Sequence, residues 1–258
     1  MPIEITPIPA FSDNYFWLAV DHETRAGFIV DPGDANPVIE TLAKSGVRLT
    51  AIVITHHHPD HIGGVRGLLE RFPVPVYGPA SKHIPQVTHP VGERDCINLL
   101  EHRFQVLAVP GHTLDHIAYF SDETSPPTLF SGDTLFAGGC GRMFEGTAAQ
   151  MVSSLDKLAA LPDDTLVYCA HEYTAANLRF AQAVEPDNEA LKTRIDHVSS
   201  LRQAKRPTVP SRLKEELNTN PFLRCRTPTV RIAAKTRGAK GEEPTAVFAT
   251  IRQWKDNF

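Results

Sequence analysis

Four histidines and one aspartate lie within six consecutive residues, in the segment 55–61 (THHHPDH). Imidazole and carboxylate groups are suitable ligands for zinc, iron or manganese. Because alternate residues of an extended loop point the same way, His56 and His58 can face one metal ion. Asp60 and His61 follow the bend expected at the proline and can face a second ion. The segment therefore predicts a metal site, although a solvated histidine-rich loop would fit the same composition.

Three further candidate ligands follow predicted strands in other parts of the chain. They are His112 after the strand Phe104–Val109, Asp133 after Leu129–Ser131 and His171 after Leu166–Cys169. The histidine-rich loop itself follows the predicted strand Leu49–Ile54. Functional sites of α/β proteins gather at the ends of strands. Strand ends that repeatedly deliver metal-binding side chains therefore favour one shared metal site over a chance cluster.

The elements that must position these side chains change in character along the chain. Up to about residue 170, short apolar runs alternate with turn residues and predict strands. The other predicted strands are Ile3–Ile8, Tyr15–Val20, Gly27–Val30, Pro75–Tyr77 and Ala118–Phe120, with helices over Pro37–Lys44, stopping at Gly46, and Ile62–Arg71. Later residues have a helical period, which predicts helices over Thr174–Val184, Asn188–Gln203, Ser211–Leu217 and Glu243–Lys255 and an exposed loop over Lys235–Glu242.

The composition is that of an ordinary globular protein. Of 258 residues, 41% are hydrophobic and 22% charged, which excludes collagen, coiled coil and wholesale disorder. The formal net charge of -4 gives no general indication of nucleic-acid binding. No apolar run approaches the ~20 residues that span a bilayer, the first residues lack a signal peptide, and the four cysteines suit a reducing compartment. We therefore expect a cytoplasmic protein that binds neither nucleic acid nor membranes.

The pattern Thr-His-x-His-x-Asp-His, followed by a later His, Asp and His, resembles the metallo-β-lactamase superfamily. The resemblance implies an α+β fold, a four-layer αββα sandwich with a two-metal site at one edge of its sheets. It also implies the ligands: His56, His58 and His112 for one metal, Asp60, His61 and His171 for the other, and Asp133 as the bridge. The neighbouring polar residues His57, Asp115, His116 and Glu172 are expected to support these ligands.

Further motifs are similar to those of one family within the superfamily. The segments 132–147 (GDTLFAGGCGRMFEGT), 169–174 (CAHEYT), 218–224 (NTNPFLR) and 252–256 (RQWKD) resemble glyoxalase II, the hydroxyacylglutathione hydrolases. The similarity spans nearly the whole chain, including its helical end. It implies a catalytic domain over residues 1–172 and a mostly helical, glutathione-binding domain over 173–258.

The family's glutathione-binding positions can be carried over one by one. They fall on Arg142, Phe144, Tyr173, Arg252 and Lys255. Some members have tyrosine at the position of Phe144, so a hydroxyl contact is lost or unnecessary there. Arg252 and Lys255 are three residues apart, which puts both on one face of the last helix. Without the resemblance, a solvated helix face would be the simpler interpretation of that pair.

The resemblance implies hydrolysis of S-(2-hydroxyacyl)glutathione thioesters, chiefly S-D-lactoylglutathione, to glutathione and D-lactate, the second step of methylglyoxal detoxification. The expected nucleophile is a hydroxide that bridges two divalent metal ions, with Asp60 and Asp133 able to orient it as well as to bind metal. Zinc is the expected metal, and iron or manganese would also fit the ligands. No cysteine is needed, and a monomer is expected.

Two alternatives share the same metal core. One is a metal-dependent phosphodiesterase, a nuclease or another thioesterase, because the superfamily supports many chemistries. The other is a binding protein with a relic site, although such a protein should have lost ligands. Asp115 and Ala170 stand where glycine is frequent in the family, which leaves the local loop geometry open.

Overall fold

The computed structural model describes residues 3–258. The chain divides into two compact units. The N-terminal unit runs to Ala108 and also includes Asp115–Gly132, and the C-terminal unit comprises Val109–Leu114 and Asp133–Phe258.

The N-terminal unit contains a six-stranded sheet, in chain order from edge to edge. Its strands are β1 (Ile3–Ala10), β2 (Asn14–Asp21), β3 (Ala26–Val30), β4 (Arg48–Val53), β5 (Val76–Pro79) and β6 (His89–Val91). The first three strands pair antiparallel, and β3 to β6 pair parallel through crossovers that contain α1 (Ala35–Ser45), α2 (Pro59–Ile62) and α3 (Val65–Leu69). Both β2 and β3 are buried at every position, as expected of strands covered on both faces.

A second set of strands packs on this sheet. It is an antiparallel succession of β7 (Cys96–Leu99), β8 (His102–Ala108), β9 (Ile117–Ser121) and β10 (Thr128–Gly132). The ring of Phe28 on β3 lies edge-on to Phe104 and Phe130, with ring centroids 5.7 and 5.9 Å apart. On the opposite face of the first sheet, Val38 and Leu42 of α1 pack in one core cluster with strand residues. The N-terminal unit therefore has helices, sheet and sheet as successive layers.

The C-terminal unit is mostly helical. A short hairpin of β11 (Leu135–Phe136) and β12 (Gly139–Cys140) precedes α4 (Ala148–Ala159), and β13 (Leu166–Cys169) pairs with β14 (Ser211–Arg212). The remaining helices are α5 (Thr174–Val184), α6 (Glu189–Gln203), α7 (Leu213–Thr219), α8 (Pro228–Thr236) and α9 (Pro244–Asp256). Leu178 and Val198 join α5 to α6, and Phe180 on α5 meets Trp254 on α9 at a ring-centroid distance of 5.3 Å. These contacts give the unit its own apolar core.

Most predicted elements are present, and the differences have local causes. The α1 helix ends at Gly46, which adopts φ 66° as a left-handed cap. The single helix predicted over Ile62–Arg71 is two short helices separated by Gly63 and Gly64. The predicted loop over Lys235–Glu242 starts too early, because α8 continues to Thr236. None of the helices in residues 3–258 has the length and hydropathy needed to cross a bilayer.

Candidate functional site

The histidine-rich loop follows β4 in the N-terminal unit and brings several ring nitrogens together. His56 is fully buried and His58 half-buried, and His56 Nε2 lies 3.1 Å from His58 Nδ1. His116 stacks on the His56 ring, with centroids 4.6 Å apart. Alternate residues of the loop thus point to one side, as the extended backbone predicts.

Asp31 supports this loop from the end of β3. Its Oδ2 lies 3.0 Å from His61 Nδ1, and its two oxygens accept from the Thr55 backbone N–H and hydroxyl, both at 2.7 Å. A carboxylate only accepts, so His61 Nδ1 carries the proton and the lone pair is on Nε2. That Nε2 lies 3.6 Å from Asp60 Oδ2, and Asn14 Nδ2 donates to the same oxygen at 3.1 Å. His61 is therefore held in the tautomer that a metal ligand requires.

Sequence reasoning did not identify Asp31 as part of the site. Asp31, His56 and His61 each offer a ligand atom, and these atoms lie within 4.8 Å of one another. The position of Asp31 directly after a buried strand is the signal that could have identified it.

His57 points to a different set of groups. Its Nδ1 is 2.9 Å from both carboxylate oxygens of Asp115, and its ring lies 4.9 Å from that of His83. Asp115 occupies one of the two positions that depart from common family usage. In this chain its carboxylate orients a histidine that neighbours two predicted ligands.

In the C-terminal unit, two predicted histidine ligands converge on the carboxylate of a third predicted ligand, Asp133. Asp133 Oδ2 lies 3.4 Å from His112 Nε2, and Asp133 Oδ1 lies 3.4 Å from His171 Nε2. All three side chains are buried. His112 Nδ1 donates to the Arg142 carbonyl at 2.8 Å, which leaves the lone pair of this ring on Nε2. Asp133 thus presents one oxygen to each of two imidazoles, the arrangement of a bridging carboxylate.

The donor atoms in both units fit a divalent metal. Two ligand atoms at 2.0–2.1 Å from a tetrahedral zinc ion are about 3.3 Å apart. The distances of 3.1 Å in the histidine loop and 3.4 Å around Asp133 agree with that spacing. In His61 and His112 the second ring nitrogen faces a carboxylate or carbonyl acceptor. Metal-ligating histidines usually have this orientation.

The predicted substrate cations cluster around the last helix. Burial lowers the pKa of the Lys255 ammonium most, and the positive charges of Arg252, Arg142 and Arg179 lower it further. Arg142 is exposed, with Nε 3.5 Å from Asp256 Oδ1. This concentration of positive charge suits an anionic ligand. Arg179 was not identified from the sequence, where nothing distinguishes it from other surface arginines on a helix.

Arg252 occupies a more buried place than the other predicted cations. It is 5% exposed, donates to the Cys140 carbonyl at 3.0 Å and to Asp256 Oδ1 at 2.9 Å, and lies 5.0 Å from the Phe222 ring centroid. Its guanidinium is therefore engaged in holding β12 and the end of α9. The predicted contact of Arg252 with substrate stays a prediction.

Two aromatic residues predicted to bind substrate border the ligands. Phe144 is 63% exposed and lies edge-on to the His112 ring at 5.3 Å. Tyr173 is 37% exposed and stacks on the His171 ring at 4.7 Å. Each exposed ring is thus next to a candidate metal ligand.

The buried cysteines are poor nucleophiles. Burial raises the pKa of the Cys140 thiol to about 11 and that of Cys169 to about 12. The thiolate, which is the reactive form, is scarce at neutral pH in both cases. This agrees with a reaction that uses no cysteine.

Family models cover nearly the whole chain. Residues 13–171 match the model of the metallo-β-lactamase superfamily, and residues 172–258 match the model described as the C-terminus of hydroxyacylglutathione hydrolase. A relative from Alkalilimnicola ehrlichii, named hydroxyacylglutathione hydrolase, is 57% identical over 256 residues, which cover 98% of each chain.

Solved structures show the same architecture. A crystal structure of ETHE1 from Myxococcus xanthus is 26% identical, covers 99% of this chain and 98% of its own, and has a TM-score of 0.67. A crystal structure of TTHA1623 in a di-iron-bound form is 28% identical over 64% of this chain and 91% of its own, with a TM-score of 0.55. The similarity thus extends across both sheets and the helical end.

Proposed function

The chain belongs to the hydroxyacylglutathione hydrolases of the metallo-β-lactamase superfamily, and from this membership we propose how its residues divide the work of the reaction. It is a hydrolase of hydroxyacylglutathione thioesters and binds divalent metal. The predicted family, activity and α+β metallo-β-lactamase fold with a C-terminal helical domain are confirmed. The alternatives of a nuclease or a relic binding protein are not favoured.

The proposed cofactor is a pair of divalent ions, with zinc as the expected metal. His56, His58 and His112 would bind one ion, Asp60, His61 and His171 the other, and Asp133 would bind both. Bound there, the ions would lower the pKa of a water molecule to about 7 and polarise the thioester carbonyl. The di-iron form of a similar structure supports a two-metal site and keeps iron as a candidate.

The chain's own contribution at this site is to fix proton positions before substrate arrives. Asp31 keeps the His61 proton on Nδ1, and the Arg142 carbonyl keeps the His112 proton on Nδ1. In its neutral form each imidazole then presents the Nε2 lone pair to a metal. Asp60 and Asp133 can accept a hydrogen bond from the attacking water and direct its oxygen towards the carbonyl carbon.

Substrate binding is assigned to the C-terminal unit. Glutathione carries two carboxylates, which Lys255 and Arg142 would attract, while Arg252 would act from its buried position beside Asp256. The Tyr173 hydroxyl would hydrogen-bond the glutathione backbone, and Phe144 would offer an apolar contact without a hydroxyl. Residues 173–258, the proposed glutathione-binding domain, would supply Tyr173, Arg252 and Lys255, whereas Arg142 and Phe144 precede that segment. S-D-lactoylglutathione is the proposed principal substrate. The monomeric state and the cytoplasmic location stay predictions.

The observation that carries this proposal is the placement of Asp133 between His112 and His171, at 3.4 Å from each. The test measures metal content and hydrolysis of S-D-lactoylglutathione on one preparation, before and after chelation. We expect two metal ions per chain, loss of turnover on removal, and recovery on adding back zinc. A phosphodiester, bis(4-nitrophenyl) phosphate, is the comparison substrate. Undiminished turnover in the stripped sample, or faster cleavage of the phosphodiester, would contradict the proposal.

A further inference from the structure

We propose that Glu216, Asn220 and Asn177 are positioning residues for Asp133 and Arg142. They bind the backbone of the β11–β12 hairpin from helical parts of the C-terminal unit, and the hairpin carries Asp133 at one end and Arg142 at the other. This inference rests on the proposed function, because it assigns Asp133 to metal and Arg142 to substrate.

The hairpin has little internal support. Each of its strands is two residues long, and the turn between them uses Gly138 with φ 68°. Side chains from elsewhere satisfy the polar atoms of its backbone instead. Asn220 Nδ2 donates to the carbonyls of Phe136 at 3.2 Å and Gly139 at 2.9 Å, Asn177 Nδ2 donates to the Ala137 carbonyl at 3.1 Å, and Glu216 Oε2 accepts from the Gly138 N–H at 2.8 Å.

Glu216 is the centre of this support. Its side chain is fully buried, and Arg194, also buried, donates to its Oε1. Asn220 Nδ2 lies 3.2 Å from Glu216 Oε2, and Arg194 Nη1 donates to the Thr219 hydroxyl at 2.7 Å. A buried carboxylate that keeps its charge needs such partners. The network therefore fixes Glu216, and Glu216 in turn fixes the hairpin turn.

The two ends of the hairpin are in direct contact, so a shift of one end moves the other. The Gly141 N–H donates to the Thr134 carbonyl at 3.2 Å. A Cβ at Gly141 would lie 2.0 Å from the Asp133 carbonyl oxygen, which shows how closely the strands approach there. Catalytic groups need placement to within about 0.5 Å. Loosening the hairpin should therefore disturb metal binding through Asp133 and substrate binding through Arg142 together.

A role in general stability is the alternative explanation, and the chain offers a matched control for it. Glu185 is also a buried carboxylate in an ion pair. Its two oxygens accept from Arg224 at 2.7 and 3.0 Å, and the Thr229 hydroxyl donates to one of them. In both glutamates a change to glutamine replaces one acceptor oxygen by an amide donor. Of the two, only Glu216 bonds to the hairpin.

The experiment compares Glu216→Gln with Glu185→Gln in the full-length enzyme. Metal retained against a graded zinc chelator, kcat and KM for S-D-lactoylglutathione, and the thermal midpoint are measured for each. For Glu216→Gln we expect a loss of metal affinity of about 10-fold or more, with lower kcat and higher KM, in protein that is still folded. For Glu185→Gln we expect a similar fall in thermal midpoint, with metal affinity and kcat within about 2-fold of the parent enzyme, because its partners do not orient a ligand.

Asn220→Ala provides a second variant that leaves the charged pair in place. It removes the donor to two hairpin carbonyls and should also lower metal affinity and raise KM. Parent-like metal affinity in folded Glu216→Gln and Asn220→Ala would overturn the inference, as would an equal loss in Glu185→Gln. If the parent enzyme itself bound no metal, the proposed function would fail instead, and the two failures are thus distinguishable.

Discussion

The histidine loop (residues 55–61) and the hairpin loop (residues 133–142) hold their predicted metal ligands in different ways. The first concentrates four predicted ligands in a short stretch, and its side chains bond to Asp31 at the end of the adjacent parallel strand, to Asn14 and to Asp115. The second carries one predicted ligand, Asp133, and its backbone is bonded by side chains from residues 177, 216, 220 and 252. Both loops nevertheless bury predicted ligands, namely His56 and His61 in the first and Asp133 in the second, whereas His58 and Asp60 are half-buried.

The difference shows two ways in which a loop can be held in place. The backbone of a loop that directly follows a strand is positioned by that strand, and outside side chains then orient its individual residues. A hairpin with two-residue strands must be fixed by distant side chains. Substitutions remote in sequence should therefore be more harmful to the hairpin loop than to the histidine loop, and the predictions below test where each loop depends on its neighbours.

Asp133→Ala should have the largest effect, because this residue connects two imidazoles at once. Loss of one partner behind a ligand typically costs 10–100-fold, so removal of the proposed bridging ligand should cost more than about 100-fold in kcat. Metal analysis and turnover on the same sample check this. Full activity together with full metal content would remove Asp133 from the ligand set.

Asp31→Asn tests the support of the histidine loop. An amide nitrogen donates and cannot accept, so asparagine must lose either the bonds from His61 and the Thr55 hydroxyl or the bond from the Thr55 N–H. We therefore expect a loss of metal affinity or activity of about 10–100-fold. Asp21→Asn is the matched control, since Asp21 is also buried and accepts from the Thr24 hydroxyl and the Glu23 N–H in a turn of the same unit. An equal loss of activity in the control would mean that Asp31 serves only the fold.

Lys255→Ala should act on binding rather than on the chemical step. Loss of a charge-assisted contact with a substrate carboxylate should raise KM by about 10-fold and leave kcat nearly unchanged. Lys255→Arg should restore much of the loss, and Lys235→Ala, an exposed lysine on α8, should change neither constant. An unaltered KM in Lys255→Ala would contradict the substrate contact and favour the interpretation of this residue as part of a solvated helix face.

The pH dependence of KM sharpens the same assignment. The pKa of Lys255 lies below its usual value of 10.5, because burial and three arginines disfavour its charged form. The cation is lost as pH rises through this lowered pKa, so KM should begin to increase below pH 10.5. In Lys255→Arg this rise should move to higher pH. The same pH profile in both proteins would exclude Lys255 as its cause.

The smallest effect is expected from thiol modification. Cys96 is exposed, whereas Cys140, Cys169 and Cys225 are buried. With a pKa of about 11, the Cys140 thiolate is a fraction on the order of 10⁻⁴ at pH 7. A thiol reagent should therefore label Cys96 alone in the folded enzyme and leave turnover intact, with all four thiols reacting in denaturant. Rapid labelling of Cys140 with loss of turnover would contradict a reaction without cysteine.

Much of the fold and of the candidate site could be predicted from the sequence because the relevant signals are local. The β-branched run before residue 55 predicted a buried strand, and the spacing of the histidines after it predicted which side chains share a side. Helix α5 has the predicted bounds, because its helical apolar period and the preceding motif 169–174 indicate where it begins and ends. Spacing along one strand or helix determines the direction in which each side chain points. These predictions depended only on that direction.

Contacts between residues distant in sequence were decided by the tertiary structure alone. Asp31 follows a predicted strand, but only the structure shows its carboxylate 3.0 Å from His61. Its position in the sequence alone favours a surface cation for Arg252, whereas in the structure this residue is buried against the Cys140 carbonyl. Glu216 has no local signal for its role, because its partner on the hairpin, the Gly138 N–H, lies 78 residues earlier in the chain. Residue type and spacing thus predicted the chemistry of the ligands. The support of these ligands depends on which buried polar groups the folded chain brings together, and no local pattern encodes that pairing.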